Sequence, residues 1–495
     1  MIALGTLAAV LSVVAGPQWS APVQLSAPSR ALGAELALSL NGDALVVWDQ
    51  EVGADCATSP AALSCIHVVT ATGRPAPAGQ WSPPIALNRP GVGSRPRPAI
   101  DGTGQAAVIW VHDIGVDRVL QATYRSGGVT GTWPEPSDLS DYVRSVTDHD
   151  VRLDNDGNAY VTWREGSSAV RYQRRPLWSG VWDGAKPFSN VATGGPALDV
   201  TTAAWTEAGQ IVWSDIPSRG ANVVPAVAGT TPTGAIDIVG HTIVFTATGS
   251  VGTLVEGSLC CGFGYTPTAK VIGQARDSDS EPRVVESGVG PVAAWIGPQG
   301  VQAVDGNDVS GTWSAPITLA RDPAASDVQI AAAQSGNAVA VWISGAGTVQ
   351  AALRPAATRT WQPAVTISGS GASHPRVALD MKSDALVVWN RTAGDTVIVE
   401  SADLLATGPF VRLIAPKRIR VRQRARFDAF AIPWATAVTG TPYWEFGDGK
   451  TAVGASVRHT YTRRGRYTVT VMQTDALGDR TIARATVTVV RRARR

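Results

Sequence analysis

A pair of tryptophan positions at a nearly constant separation recurs through residues 17–405 and limits the fold more than any other feature. In most pairs the first tryptophan opens a W-S-x-P-x-x-L phrase, and the second closes a G-x-A-x-V-x-W phrase 28 to 30 residues later. The pairs are Trp19 and Trp48, Trp81 and Trp110, Trp133 and Trp163, Trp313 and Trp342, and Trp361 and Trp389, with Tyr265 in the first position before Trp295. Self-similarity at a period of this length predicts a repeated supersecondary unit.

Each unit divides into four short strands. In the last unit they are WQPAVTIS, HPRVALD, DALVVWN and TVIVESADL, with the turn Lys382–Asp384 between the second and third. Most alternate or run apolar over four to six residues, as strands do. One such sheet cannot bury both of its faces, so neighbouring sheets must stack around a ring, which predicts a β-propeller with the tryptophans between its blades.

The position of the first W-S-x-P strand predicts how the ring closes. It opens the chain at Trp19, whereas the last propeller strand ends near Leu405 and no such strand follows it. We therefore expect residues 18–26 to pair with residues 396–404. Between residues 180 and 260 the pattern is eroded, and we assign Trp182 with Trp205 to one unit and a unit without tryptophan to the stretch ending at Phe245. Eight blades follow, with seven as the alternative because the count depends on this stretch.

The phrase Gly311–Pro316 and its copies resemble the tail of the Asp-box repeat, S-x-D-x-G-x-T-W, of sialidase-like propellers. The match is degenerate: Ser126 lies seven residues before Trp133 and Asp308 lies five before Trp313, but no unit keeps both. Asp boxes are structural turns in that family. The resemblance therefore implies a fold and does not imply sialidase activity.

After about residue 410 the pattern changes. Residues 410–490 closely resemble a PKD domain in the segments Phe427–Ala429, Tyr443–Gly449, His459–Tyr461, Gly465–Val469 and Val487–Val489. The resemblance implies an immunoglobulin-like β-sandwich, used in secreted proteins as a spacer or as a module that binds carbohydrate or protein. Gly447 and Gly449 supply the positive φ angles of a tight turn. The family motif is a folding motif, so we expect a structural role for His459.

The N-terminus and the cysteines favour export. Residues 1–16 are apolar and too short to span a bilayer, and they resemble the core of a signal peptide with small residues near Ala15. A basic n-region is missing, so either the true start lies upstream or the segment is a buried strand. Cys56 and Cys65 bracket a short insertion and are placed for a local disulfide. Cys260 and Cys261 are adjacent, where a bridge would be strained, and they could instead remain thiols. We predict a signal peptide at 1–16, a propeller at 17–405 and a PKD domain with a basic linker and tail at 406–495.

Charge is divided unequally along the chain. Residues 406–495 hold 18 Lys and Arg against 5 acidic residues, a net charge of +13, while the remainder carries −11. The alternating residues Arg418, Arg420, Arg422 and Arg424 are expected to share one exposed face of a strand. That face is either simply solvated or an anchor for an anionic surface. Aromatic residues do not interleave with these arginines, so we expect no nucleic acid partner.

Polar residues recur on the strand that would line the channel of a propeller. Thirteen residues before the second tryptophan lie Glu35, Arg97, Asp150, Gln329 and Arg376, with Arg283 at a distance of twelve. Strand alternation places them at one level. A second set directly follows the tryptophan and includes Asp49, His112 and Asp113. These residues are the predicted binding site at the channel mouth, although such charges could instead only neutralise one another between blades.

The sequence does not place a catalytic centre. Glycosidases need two carboxylates flanking the scissile bond, and sialidases need a Tyr nucleophile with an arginine cluster. Arg97, Arg283 and Arg376 have no acidic and tyrosine partners that the sequence can place. Asp154–Gly157 resembles a fragment of a calcium loop but lacks the distal Glu, and its homologous positions are hairpin turns.

Two function classes remain. The first is a secreted, non-catalytic binding or adhesion protein, monomeric and without cofactor or metal, that recognises an extracellular polysaccharide or protein through the propeller. The second is a secreted glycoside hydrolase or lyase on a sialidase-like propeller. Convergence of two carboxylates, or of arginines with Tyr and a carboxylate, at one mouth of the channel would distinguish the second from the first.

Overall fold

Every regular element in the described part of the computed structural model is a β-strand, which confirms the all-β prediction. The structure describes residues 10–53, 66–76, 79–88, 92–129, 131–143, 145–218, 220–240, 242–259, 269–277, 280–307, 310–405, 408–476 and 478–491. Within these residues no helix is long and apolar enough to cross a membrane. The chain divides into an N-terminal unit, residues 20–354 and 361–403, and a C-terminal unit, residues 404–495 with residues 1–19 and 355–360.

Eight antiparallel sheets, numbered here in chain order, make up residues 18–405 of the described chain. Sheet 1 contains the strands Arg30–Leu38, Ala44–Val52, Ile66–Arg74 and Ile85–Ala86, and sheet 2 contains Val92–Ile100, Ala106–Ile114, Asp117–Arg125 and Ser137–Asp138. Sheet 3 contains Val146–Leu153, Ala159–Glu165, Ala169–Arg175 and Lys186–Ser189, and sheet 4 contains Ala192–Asp199, Thr202–Glu207, Gln210–Asp215 and Asn222–Val224. Sheets 1 and 2 are joined along one edge by a bridge between His67 and Val92.

Sheets 5 to 8 follow the same order. Sheet 5 contains the strands Thr231–Val239, Thr242–Gly249, Gly252–Ser258 and Lys270–Gln274, and sheet 6 contains Arg283–Val285, Val292–Gly297, Gly300–Asn307, Thr312–Trp313 and Ile317–Ala320. Sheet 7 contains Ser326–Ala332, Ala338–Ile343, Val349–Arg354 and Val365–Thr366, and sheet 8 contains Ala372–Leu379, Ala385–Ala393 and Thr396–Leu405 with Gln18–Trp19 and Val23–Gln24. In every sheet but sheet 4, the outer strand lies at or directly after the first aromatic position of the repeat.

The eighth sheet takes its outer strand from the start of the chain. Gln18 pairs with Leu405, and Val23 pairs with Ser401. Leu25 continues this pairing through its N–H, which donates to the carbonyl oxygen of Val399 at 2.8 Å. The predicted pairing of residues 18–26 with residues 396–404 is therefore confirmed.

The second tryptophan of each unit lies at the centre of the second strand and is buried. Trp48, Trp110, Trp163, Trp205, Trp295, Trp342 and Trp389 are all less than 2% exposed, and Phe245 takes the same position in sheet 5. Each packs against a neighbouring sheet: Trp110 contacts the cluster that contains Val47 of sheet 1, and Trp48 contacts the cluster that contains Val388 of sheet 8. The assignment of Trp205 and Phe245 to separate units in the eroded stretch is confirmed.

Arginines on the third strands reach the third strand of the preceding sheet. Arg354 of sheet 7 lies 2.8 Å from Asp305 of sheet 6, and Arg175 of sheet 3 lies 3.7 Å above the ring of Tyr124 of sheet 2. At the matching position, Arg74 of sheet 1 donates two hydrogen bonds, of 2.9 and 2.7 Å, to Asp403 of sheet 8. Sheet 8 is therefore linked to sheet 1 by the same kind of ion pair that links sheet 6 to sheet 7.

The C-terminal unit contains two further sheets. The first contains Val10–Ala15, Phe410–Pro416, Arg424–Ile432 and Ser456–Thr460, and the second contains Arg418–Arg420, Arg480–Val490, Gly465–Asp475, Val438–Glu445 and Thr451–Val453. Between them lies a core with Phe427, Trp444, Phe446 and Tyr461. The expected tight turn is confirmed, since φ is 75° at Gly447 and 83° at Gly449. His459 stacks on Phe446, with ring centroids 4.0 Å apart, and bonds to Asp448 at 2.9 Å.

The alternating arginines do not share one face, because Arg418 and Arg420 lie on the second sheet, Arg424 lies on the first, and Arg422 lies in the turn between them with φ at 63°. That prediction was wrong, because a turn at Val421–Gln423 breaks what the sequence presents as one alternating strand.

Residues 10–15, within the predicted signal peptide, form a strand that pairs with Phe410–Pro416. The strand expected as the alternative is therefore present, but it is only partly buried, since Val10 is 60% exposed. The signal peptide itself stays a prediction, since residues 1–9 are outside the described residues. All four cysteines, Tyr265 and Asp308 also lie outside the described residues. Asp154–Gly157 forms a turn in which the Asp154 carboxylate accepts hydrogen bonds from the N–H groups of Asp156 and Asn158.

Replacing Trp342 by Ala should lower the free energy of unfolding of the N-terminal unit by about 3–5 kcal/mol, because the variant leaves a cavity between two sheets. Trp178, which is 86% exposed, provides the matched control. The Trp178→Ala variant should change stability by less than about 0.5 kcal/mol. Urea unfolding followed by circular dichroism measures both, and equal effects would mean that the repeated tryptophans do not carry the packing.

Replacing Asp403 by Asn should cost about 3 kcal/mol, because it leaves the guanidinium of Arg74, whose side chain is 6% exposed, without its charge partner. The more exposed pair Arg118–Asp113 gives the comparison, with side chains 39% and 25% exposed. The Asp113→Asn variant should cost no more than about 1 kcal/mol. Unfolding midpoints in urea test this difference. A loss of stability in Asp403→Asn no larger than in Asp113→Asn would argue against a role of the Arg74–Asp403 pair in holding sheet 8 to sheet 1.

Candidate functional site

The first strands of all eight sheets line one cavity of about 600 Å³. All six polar residues predicted thirteen or twelve positions before the tryptophan are in its wall: Glu35, Arg97, Asp150, Arg283, Gln329 and Arg376. Asp49, His112 and Asp113 are not in the wall, because they lie on second strands, one strand away from the cavity. Asp49 is instead bonded to His67 at 2.9 Å, and Asp113 to Arg118 at 2.5 Å.

One residue from each first strand forms a common level in the cavity wall, which we call the inner level. Each of these residues pairs with the residue directly before the buried aromatic of the second strand. The pairs are Glu35 with Val47, Arg97 with Ile109, Asp150 with Thr162, Ala197 with Ala204, Asp237 with Val244, Arg283 with Ala294, Gln329 with Val341, and Arg376 with Val388. The inner level thus holds three acids, three arginines, one glutamine and one alanine.

A repeated β-bulge directs the inner level into the cavity. In sheets 1, 2, 3, 4, 7 and 8 the register between the first and second strands shifts just before the inner residue. The residue two positions before it has a positive φ in each case: Gly33, Arg95, Asp148, Gly195, Asp327 and His374. Four of these are not glycine, and a left-handed conformation at such residues costs on the order of 1 kcal/mol or more. Bulges that redirect a side chain are common beside functional sites.

On one side of the cavity, arginine and histidine side chains surround the carboxylate of Glu35. It accepts hydrogen bonds from Arg97, from Arg376 Nε at 2.9 Å and from His374 Nε2 at 3.1 Å. Burial alone would raise the pKa of Glu35, but Arg376, Arg97 and His374 hold it well below the ordinary value. Asp327 adds a contact of 3.4 Å to Arg376. The carboxylate of Glu35 is therefore ionised and fully engaged.

The opposite part of the wall is acidic. Asp150 accepts a hydrogen bond of 2.6 Å from Arg152, and Asp199 and Asp237 lie on the first strands of sheets 4 and 5. Burial lowers the pKa of Arg152, but Asp150, Asp199 and Asp237 more than offset this and raise it. Burial raises the pKa of Asp237, against the lowering effect of Arg283 and of the Val284 N–H, which donates to it at 2.9 Å.

Asp199 and Asp237 have hydrogen bonds to backbone N–H groups but no ion pair within 4.0 Å to any described basic residue. Between the strand of Asp150 and the strand of Asp237, the inner level holds only the methyl group of Ala197. The wall therefore has a gap at Ala197, flanked by Asp150 and Asp237.

His149 is a buried, neutral imidazole beside the inner level. Its Nε2–H donates to the carbonyl oxygen of Arg95 at 2.7 Å, and its Nδ1 has no described partner. Burial, together with the charge of Arg97, lowers the pKa of His149 to about 3. The lone pair of Nδ1 is therefore available at neutral pH.

Sequence reasoning missed several titratable residues in the wall, among them His149, Arg152, Asp199, Asp237 and Glu281. Asp237 occupies the inner level but lies only eight residues before Phe245, since the hairpin of sheet 5 is short. A search for a fixed distance of thirteen residues from a tryptophan could not find it. Aligning the sequence units on the buried aromatic of each second strand, and allowing a shorter turn before that strand, would have found Asp237.

The pH dependence of stability should reveal His149. The unfolded chain binds a proton at His149 near pH 6.5, and the folded protein does not until about pH 3, so stability falls on acidification through this window. Between pH 7 and pH 5 the contribution is about 2 kcal/mol. The His149→Gln variant, measured by urea unfolding at several pH values, should therefore lose less stability over this range than the wild type.

His67 supplies a control of opposite sign. Its hydrogen bond to Asp49 raises the pKa of His67, so its contribution is present at low pH and is lost as the pH rises through the folded value. The His67→Gln variant should consequently lose more stability than the wild type on acidification. Parallel curves for wild type and His149→Gln would contradict a buried neutral His149.

Comparison with known proteins identifies one domain of the chain. No curated protein is similar enough to count as a relative. Similar solved structures include a fungal alcohol oxidase of the AA5 family in complex with copper (11% identity, 95% of this chain and 99% of that chain, TM-score 0.43) and AofleA from Arthrobotrys oligospora (11% identity, 73% and 90%, TM-score 0.37). A protein of unknown function from Dyadobacter fermentans also matches (11% identity, 79% and 98%, TM-score 0.38).

TM-scores below 0.5 at this identity assign neither a fold family nor an activity to the chain. The Asp-box resemblance of the repeat is supported by no family match. The C-terminal resemblance is confirmed, since residues 406–490 match the family model of the PKD domain. The chain therefore carries a PKD domain at residues 406–490.

Proposed function

We propose that sheets 1 to 8 form an eight-bladed β-propeller and that the protein is a secreted, non-catalytic recognition protein. Its ligand would be an extracellular polysaccharide or a protein segment, bound in the cavity. The propeller is supported by the common register of the eight first strands and by the ion pair of Arg74 with Asp403, which links sheet 8 to sheet 1. The PKD domain would act as a spacer or anchor.

The observation that carries the binding role is the uneven inner level. Seven of its eight positions are polar, and the eighth is Ala197. Two carboxylates, those of Asp150 and Asp237, border the gap, and Asp237 has no ion pair with a described basic residue. A ligand that donates hydrogen bonds, such as a sugar with vicinal hydroxyl groups, would therefore be recognised there. Charged acceptors form the stronger hydrogen bonds, which suits recognition of a polar ligand in water.

The cationic side of the cavity argues against sialidase-like chemistry. An arginine cluster for a substrate carboxylate must be free, yet Arg97 and Arg376 are both bonded to Glu35. The described wall contains no tyrosine that could act as a nucleophile. Arg283 is also engaged, by Glu281.

One observation supports the alternative of a secreted glycoside hydrolase or lyase. Asp150 and Asp237 border the same gap, and the pKa of Asp237 is raised by burial, a property that general acids require. A glycosidase would use this pair as acid and base across the bond that is cleaved. The two functions therefore share a site and differ in whether the ligand is consumed.

A screen of the purified protein on immobilised glycans and peptides, read for binding and for cleavage, tests both functions. Asp237→Asn and Ala197→Leu should each weaken binding about tenfold or more, the first by removing a charged acceptor and the second by filling the gap. Asp49→Asn, outside the cavity, should leave binding unchanged.

The pattern of effects separates the possibilities. Binding without cleavage, lost in both cavity variants, supports recognition. Cleavage that Asp237→Asn abolishes would establish the hydrolase or lyase instead. A ligand bound equally by wild type, Asp237→Asn and Ala197→Leu would remove the cavity from either role.

A further inference from the structure

Three segments of the PKD domain meet at one end of its two sheets. The turn after strand Arg418–Arg420 contacts the end of strand Arg480–Val490, since the Val421 N–H donates to the carbonyl oxygen of Val490 at 2.9 Å. The same turn contacts the loop before strand Gly465–Asp475, since the Arg422 N–H donates to the carbonyl oxygen of Tyr461 at 2.9 Å. Strand pairing of Gly465 with Val489 brings the loop and the strand end together.

Seven exposed arginines converge at this end, which we call the basic pole. They are Arg420, Arg422, Arg424, Arg463, Arg464, Arg466 and Arg491. None of them has a described carboxylate within 4.0 Å. No aspartate or glutamate occurs in residues 417–427, 459–474 or 481–495, and Asp448 of the neighbouring turn is bonded to His459.

This arrangement is costly for the isolated domain. Like charges collected on one surface repel one another, and the repulsion lowers stability. Arg422 adds backbone strain, because its φ of 63° is a left-handed conformation that suits glycine better than arginine. Surfaces that only need solubility intersperse both signs of charge. A partner of opposite charge would offset the repulsion.

The side chains around the pole indicate the chemistry of this partner. Guanidinium groups bind carboxylate and sulfate groups through paired hydrogen bonds. The seven arginines are accompanied by no exposed aromatic on which bases could stack and by no large exposed apolar side chain in residues 417–427 or 459–467 that could enter a membrane. Both features favour a hydrated polyanion.

We propose that the basic pole binds an anionic polysaccharide. The site is separate from the cavity of the N-terminal unit, and its ligand is recognised by charge and by paired hydrogen bonds to the arginines. Binding is therefore independent of the function proposed for the cavity. It should weaken steeply as salt rises, because exposed charges are screened over about 8–10 Å at physiological ionic strength.

Binding of the full chain to dextran sulfate, with uncharged dextran as the control polymer, tests the proposal. The variant Arg463→Glu/Arg464→Glu changes two exposed loop residues and should weaken binding at least about tenfold in dilute buffer. The matched variant Arg480→Glu/Arg484→Glu makes the same change of charge on the same domain. Arg480 and Arg484 lie ten and six residues along the strand from Val490, roughly 34 and 20 Å from the pole. This variant should lose less than about threefold.

Thermal unfolding of both variants establishes that each is folded. Equal losses in the two variants would overturn the proposal, since the effect would then follow net charge and not the pole. Failure of the wild type to bind dextran sulfate in dilute buffer would also overturn it. Tighter binding to duplex DNA or to vesicles containing phosphatidylserine than to the polysaccharide would assign the pole to another class of partner and exclude the one proposed.

Discussion

The structure of the N-terminal unit depends on the contact between the aromatic side chain at the centre of each second strand and a neighbouring sheet. A four-stranded sheet has two faces, and an aromatic side chain of 150–250 Å² on one face must be covered by something outside that sheet. Eight sheets solve the problem by covering one another in sequence. The first sheet is covered in turn by the eighth, where Trp48 and Val388 belong to one buried cluster.

The shared packing position determines which residues the first strands present to the cavity. Because every sheet packs through the same strand position, every first strand presents its inner residue at the same level of the cavity. The bulge occurs in six of these strands, and in five of them it places a polar side chain there without interrupting the packing of the second strand. The packing of the sheets and the lining of the cavity are thus carried by different strands of one sheet, so residues in the cavity wall can change while the aromatic core is retained.

The sequence predicted the repeat, the closing strand and the PKD domain, because each leaves a signal in the order of residue types. Trp19 opens the same W-S-x-P phrase as Trp313, and no such phrase follows residue 405, so residues 18–26 could be matched with residues 396–404. The sequence could not predict that Arg97, Arg376 and His374 balance the negative charge of Glu35, since those contacts depend on side-chain directions set by the bulge. It also treated Arg418 to Arg424 as one strand, because alternation looks the same on both sides of a turn.

The eroded part of the repeat coincides with the gap in the inner level. Sheets 4 and 5 depart most from the tryptophan spacing, and they contribute Ala197 and Asp237 to the wall. Packing there is maintained by other aromatics, since Phe188 lies between Tyr172 and Trp205 with ring centroids 4.3 and 5.2 Å away. The loss of the repeated phrase therefore does not mean a loss of core. It marks the sheets in which the wall of the cavity differs from the repeat, because Ala197 takes the place of a polar residue at the inner level there.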